Sequence, residues 1–481
     1  MAKRSQFSLL SLKDLSEKIQ TSEITPVDLT EFCLDRIRKL NKSLNAFITV
    51  ADENDAYNNA GLAEKEIRSG NYRGPLHGTP FSIKDIIYAK GIRCTAGSKI
   101  LSEYSPQTDA TCFKKIKKAG AIFLGTNNLN EFASGITGVN PFYGDTKNPW
   151  NISRISGGSS GGSAVAVSTG MTLIALGTDT GGSLRVPSSL CGVVGLKPTY
   201  GLISKHGVFP LAPSLDHVGC ITRSVWDSAA ILECISGWDP YDQASSRRKI
   251  PQYTEIVNKS NAKGFAIGVP KQYFFDYMDC EVERLFNRFV DSLKSLDYKV
   301  SDIGLQNYQR YCKSWRDIRY PEAAAVHENW FKTRTEGYSR EVRKMLTLGT
   351  KVPAVDYLHA KKIIDVELKK ELLTILKEMV DVIIVPTTII PAPRFDELDV
   401  IDIGGTVMQT REALLRNTIL FNSTGFPAVS IPIGLTKDKM PIGAEIIGPP
   451  FGEERILSLA YNYECMNRAH IKFGSPPCSL S

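Results

Sequence analysis

The strongest constraint on this chain is a stretch rich in glycine and hydroxyl groups, Ser156-Gly157-Gly158-Ser159-Ser160-Gly161-Gly162-Ser163, continued by Gly177-Thr178-Asp179-Thr180-Gly181-Gly182-Ser183 and Gly195-Leu196-Lys197-Pro198. Small residues at this density let backbone N–H groups approach a ligand closely, and glycine at positive φ folds successive N–H groups into one anion-facing concavity. Ser159 and Ser183 stand among them, hydroxyls that can serve as nucleophile and proton relay where a base reaches them. Three other readings of the glycines fit less well. A flexible linker would not carry the apolar run from Ala164 to Leu176 that joins the first two segments. A phosphate loop needs a closing Gly-Lys-Ser/Thr, which neither run has. Gly157-x-Ser159-x-Gly161 spells a nucleophile elbow, but the elbow needs a strand leading into its serine, and Lys147 to Arg154 is a turn-rich approach.

A length of 481 residues allows one large domain with insertions or two domains. Without internal repeats or a long linker, a single domain spanning 1–481 is expected. Within it, 1–70 reads as a helical arm and 270–380 as a variable helical region. The net charge of +7 is spread over short clusters such as Lys114-Lys115 and Lys117-Lys118, as on solvated helix faces. No basic stripe with interleaved aromatics appears, so direct nucleic-acid binding is not expected. The ten cysteines include no Cys-x-x-Cys and the six histidines show no metal-ligand spacing. No metal and no cofactor are therefore expected, and a reduced, cytoplasmic setting follows most simply. The apolar run near the N-terminus is too short for a signal peptide, and no stretch is long enough to span a bilayer.

Along the chain, Thr25-Pro26 reads as an N-cap with proline at the first helical position, followed by Leu29, Cys33, Ile37 and Leu40 at helical spacing. Ala56 to Arg68 reads as a second helix, ended by Ser69-Gly70. Thr79-Pro80-Phe81-Ser82-Ile83 is a strand that would deliver Lys84 to its end. Thr108-Asp109 is read as the cap of a helix through Lys118, with a strand over Ala121 to Leu124. Gly264 to Val269 is a strand, followed by a helix with Val282, Leu285, Phe286, Phe289, Val290 and Leu293 on one face. Val382 to Pro386, Ala428 to Pro432 and Gly443 to Gly448 are buried strands, and a final helix runs from Glu453 to Asn467. Alternation of this kind marks an α/β layer architecture.

The glycine and serine segments, with Ser82-Ile83-Lys84-Asp85, resemble the signature of the amidase signature family of serine hydrolases, strongly from about Leu76 to Thr222 and more loosely beyond Asp381. The resemblance implies a large, mixed, twisted central sheet with helices on both faces. It also implies a catalytic triad of Lys84, Ser159 on an unusual cis peptide bond, and the nucleophile Ser183. The backbone N–H groups of Thr180, Gly181, Gly182 and Ser183 would form the oxyanion hole, and the substrate would be a small-molecule amide, recognised by the variable helical region 270–380.

Amide hydrolysis needs an activated nucleophile, a stabilised oxyanion and a proton for the leaving nitrogen. Lys84 can act as base only when neutral, a state that burial favours. A Ser-His-Asp site using Asp216-His217 is the chemical rival, but adjacent residues on one short segment do not easily form a base with its own orienter. Asp179 and Arg185 read as a buried pair bracing the loop, and Glu131 as a loop carboxylate that satisfies backbone. Two branches of the family come into question. One is a free-standing amidase, in which a homo-oligomer is possible. The other is the glutaminase component of glutamine-dependent tRNA amidotransferase, which works with partner subunits. There, an arginine pair takes the carboxylate of glutamine and an acidic residue takes its ammonium. The matching positions here are Lys344-Met345 and a site near Leu415, which favours the free-standing amidase, although a slip of one or two positions would bring Arg343 or Glu412 into play. A catalytically dead scaffold is disfavoured because Lys84, Ser159 and Ser183 are all present.

Overall fold

The computed structural model describes residue 7, residues 10–259 and 264–467, and residues 476–477. Most of the N-terminal segment considered as a signal peptide, and His470, lie outside the described residues. The described residues form thirteen strands: β1 (Phe47–Val50), β2 (Pro80–Lys84), β3 (Ile122–Asn127), β4 (Ile174–Asp179), β5 (Val194–Lys197), β6 (His217–Thr222), β7 (Ala266–Pro270), β8 (Lys299–Ile303), β9 (Val382–Pro386), β10 (Val400–Ile403), β11 (Thr406–Gln409), β12 (Ala428–Leu435) and β13 (Pro441–Ile447). Eleven of them make one sheet in the order β1-β3-β2-β4-β6-β5-β12-β13-β9-β7-β8, and β10 pairs with β11 in a small hairpin. The sheet is mixed. Strands β3, β2 and β4 run parallel, β4 through β9 alternate antiparallel, and β9, β7 and β8 are parallel again.

The central strands are buried on both faces, as a sheet covered by helices requires. Every residue of β2, β4, β5, β6, β9 and β13 is buried. The helix Pro26–Leu44 starts where Thr25-Pro26 places it, with the Thr25 hydroxyl and the Asp28 carboxylate forming a reciprocal capping box. The helix Cys280–Ser295 buries Val282, Leu285, Phe286, Phe289 and Leu293 on one face, and the last helix runs Glu453–Asn467 as expected. Three expectations change. The region 270–380 is not all helical, because β8 within it pairs parallel with β7 and ends the sheet. The first 70 residues are not all helical, because β1 pairs antiparallel with β3 and extends the sheet edge. Phe47-Ile48-Thr49-Val50 does not alternate apolar with polar, so periodicity does not mark it as a strand. The helix expected to be capped by Thr108-Asp109 begins at Thr111 behind Ala110, which makes no side-chain cap. The Asp109 carboxylate accepts the Lys90 N–H instead. Among the described residues no helix is long and apolar enough to cross a membrane.

Candidate active site

Lys84 is the last residue of β2, and β4 lies parallel beside it. The apolar run that makes β2 a core strand thus carries a lysine to its end with no exit to water, and Lys84 is 0 % exposed. Its Nζ donates to Ser159 Oγ at 2.7 Å and to Thr178 Oγ1 at 2.9 Å, Thr178 coming from β4. Burial pushes the Lys84 ammonium down to about 7, against the opposing pull of the Asp179 and Asp216 carboxylates. Ser159 follows a cis peptide bond from Gly158. Just beyond it, the helix Gly161–Ser168 is buried throughout and anchors the first glycine run, which is therefore no linker.

The second glycine run ends β4 and turns into the helix Arg185–Cys191. The Ser160 N–H donates to the Ser183 carbonyl at 3.2 Å, and Ser160 Oγ donates to the Thr178 carbonyl at 3.2 Å. These bonds set the two serine segments side by side. Asp179 organises the turn: its carboxylate accepts the Gly182 N–H at 2.7 Å and the Leu184 N–H at 3.0 Å, and pairs with Arg185 at 3.0 Å. Arg185 also pairs with Glu445 at 2.5 Å, and all three side chains are fully buried. Gly182 holds φ +144°, and a Cβ there would meet Thr418 Oγ1 at 2.5 Å, so glycine is required at this bend. The Gly182 N–H, expected among the oxyanion donors, is instead committed to Asp179. The Thr180, Gly181 and Ser183 N–H groups make no hydrogen bond among the described residues.

The Asp216-His217 pair does not form a base with its orienter. His217 Nδ1 faces the Leu215 and Asp179 carbonyls at 2.7 and 3.2 Å. Asp216 accepts the Thr180 hydroxyl at 2.6 Å and the Leu211 and Ala212 N–H groups. Burial, with the charge of Lys197, keeps His217 well below the usual imidazole range. Glu131 accepts from the Ser98 hydroxyl at 2.6 Å and the Ser339 N–H at 2.9 Å, satisfying backbone as expected of a loop carboxylate. Among the described residues no group of three or more His, Cys, Asp and Glu side chains is placed to hold a metal ion.

Residues not singled out from the sequence complete the surroundings. Thr178 holds Lys84, and its place inside the second glycine run was the available signal. Trp315, on the helix Tyr308–Val326, donates from Nε1 to the Thr180 carbonyl at 3.2 Å and closes over Gly181. Thr418 donates to the Gly181 carbonyl. A cavity of about 240 Å³ opens beside Thr178 and Thr180, walled by Ile86, Ala133, Phe209 and Asp216.

Known proteins share this architecture over almost all of its length. A family model described as Amidase matches residues 28–457. The A-type subunit of the Glutamyl-tRNA(Gln) amidotransferase of Geobacter sp. (strain M21) is 36% identical over 96% of this chain and 98% of its own. The crystal structure of an amidase superposes with a TM-score of 0.85 at 32% identity, covering 95% of this chain and 100% of that one. The native peptide amidase from Stenotrophomonas maltophilia superposes with a TM-score of 0.82 at 27% identity, covering 97% of this chain and 98% of that one. The chain belongs to the amidase signature family.

Proposed function

We propose that the chain hydrolyses a primary carboxamide through an acyl-enzyme on Ser183. The observation that carries this reading is the 2.7 Å bond between Lys84 Nζ and Ser159 Oγ in a fully buried setting. A lysine held near neutrality there can take the Ser159 proton while Ser159 takes that of Ser183. Ser183 Oγ then attacks the amide carbon, and the oxyanion develops toward the free N–H groups of Thr180, Gly181 and Ser183. Collapse of the tetrahedral intermediate breaks the C–N bond, and the proton stored on Lys84 returns through Ser159 to the leaving nitrogen. Water, deprotonated by the same relay, releases the carboxylate and restores Ser183.

The curated relatives favour the narrower second reading, an ammonia-producing component of an amidotransferase, over the free-standing amidase expected from the sequence. Two segments of this chain stand against glutamine as its substrate. Met345 is buried and accepts the Ser134 hydroxyl at 2.9 Å, while neighbouring Arg343 pairs with Glu336 at 2.5 Å. Leu415 is a buried apolar residue near the position where the amidotransferase branch has an acidic partner for the ammonium. Ammonia release from a panel of glutamine, asparagine, short aliphatic amides and aryl amides discriminates between the readings. The chain alone is expected to turn over a simple amide faster than glutamine. Glutamine as the best substrate, with turnover raised by amidotransferase partner subunits, would establish the second reading instead.

A further inference from the structure

Two arginines beside the candidate site have no counter-ion among the described residues. Arg319, on the helix Tyr308–Val326, is 2 % exposed, and its one hydrogen bond is from Nη2 to Ser134 Oγ at 3.1 Å. Its Nη1 is buried with no acceptor among the described residues. The rings of Trp315 and Tyr320, each 5.5 Å away, are its remaining support. Burying an arginine without a carboxylate is costly, so such a residue normally has a partner or takes one from a ligand. The Asp216 carboxylate is close enough to act on its charge, but both Asp216 oxygens are already bonded to Thr180, Leu211 and Ala212.

A second guanidinium makes the deficit larger. Arg411, half-buried on the helix Thr410–Leu415, forms no ion pair among the described residues, and its charge reaches Arg319. Burial together with this repulsion lowers Arg319 to about 9. Both arginines come from segments that rest on the nucleophile loop. Trp315, one helical turn before Arg319, bonds to Thr180, and Thr418, a few residues beyond Arg411, bonds to Gly181. Ser134, the partner of Arg319, directly follows Ala133 in the wall of the 240 Å³ cavity.

We propose that Arg319, seconded by Arg411, is a specificity-determining residue that takes a carboxylate at the far end of the amide substrate. The inference rests on the reading of Ser183 as the nucleophile. A carboxylate would satisfy the free Nη1 in a charge-assisted bond and relieve the repulsion between the two guanidiniums. An ammonium beside that carboxylate would meet cations, which turns the site from glutamine toward an ω-amide of a simple dicarboxylic acid.

The test compares glutaramate with its neutral counterpart pentanamide in the wild-type, Arg319→Gln and Arg411→Gln proteins. Wild-type kcat/KM is expected to favour glutaramate by about ten- to a hundredfold, as for loss or gain of a hydrogen bond to a charged group. Each variant should bring the ratio toward one, mainly through KM. Half-buried Arg411 keeps the test open should Arg319→Gln fold poorly. Calorimetric binding of glutarate to the Ser183→Ala protein, with and without Arg319→Gln, supplies a readout independent of turnover, and Arg319→Gln is expected to weaken it at least about tenfold. An unchanged glutaramate preference in both variants, or glutarate binding indifferent to Arg319, overturns the proposal. Arg319-dependent glutarate binding in a protein that hydrolyses neither amide would instead sink the Ser183 reading while keeping the anion site.

Discussion

Replacing Lys84 by alanine is expected to lower kcat/KM for the best amide by roughly 10²–10⁴-fold, the range for loss of a positioned general base. The wild-type rate should rise with pH through about 7 and then level off. Below that value Lys84 is mainly the protonated ammonium despite its burial, and above it the neutral amine is the main form. The sign follows from the lowered value: protonation inactivates, so activity is lost on acidification. In Lys84→Ala this inflection should vanish along with most of the rate. Lys84→Arg should be no better, because a guanidinium with a pKa above ~12 stays protonated and cannot accept the Ser159 proton. A Lys84→Arg protein with near wild-type turnover and an unchanged pH profile would remove lysine from the relay.

Arg185→Met is expected to destabilise the fold by about 3–5 kcal/mol, the cost of leaving buried carboxylates without their cation. Arg185 neutralises Asp179 and Glu445 together and also donates to the Thr418 carbonyl and to Asn422. Burial alone would raise the Asp179 carboxyl, but the charge and hydrogen bonds of Arg185, with the Leu184 N–H, hold it well below the usual range. Glu445 is less well served: burial lifts it to about 7 despite Arg185, and its Oε2 has no partner among the described residues. Loss of Arg185 should therefore also loosen the grip of Asp179 on the Gly182 and Leu184 N–H groups and misplace Ser183. Urea unfolding reads the first effect and kcat the second. A variant with unchanged midpoint and turnover would show that the trio does not brace the loop.

Much of the architecture was legible because it is written locally. Thr25-Pro26 and Asp28 carry a complete capping box within four residues, and the apolar run before Lys84 has the length of a buried strand. What escaped was mostly tertiary in origin. Strand β1 pairs with β3 and forms the sheet edge, and Phe47-Ile48-Thr49-Val50 are all strand-favouring residues, so the helical reading of 1–70 is too broad there. The polar Thr108-Asp109 spelling of a cap was overridden when Asp109 found the Lys90 N–H. Around the candidate site, the juxtaposition of Lys84, Ser159 and Thr178 follows from neighbouring strands and one loop. The occupation of the Gly182 N–H by Asp179 needed the actual bend, since the same spelling permits that N–H to point either way. Trp315 lies more than a hundred residues from the loop it covers, in the helix Tyr308–Val326.

The central claim is that Ser183 is the nucleophile. The measurement that tests it most directly is intact-protein and peptide mass spectrometry after treatment with a serine-directed fluorophosphonate. One adduct is expected per chain, located on Ser183, and absent in Ser183→Ala, which should also lose turnover. An adduct that persists in Ser183→Ala and maps to Ser160 or Ser163 would contradict the account and move the nucleophile to the first glycine run.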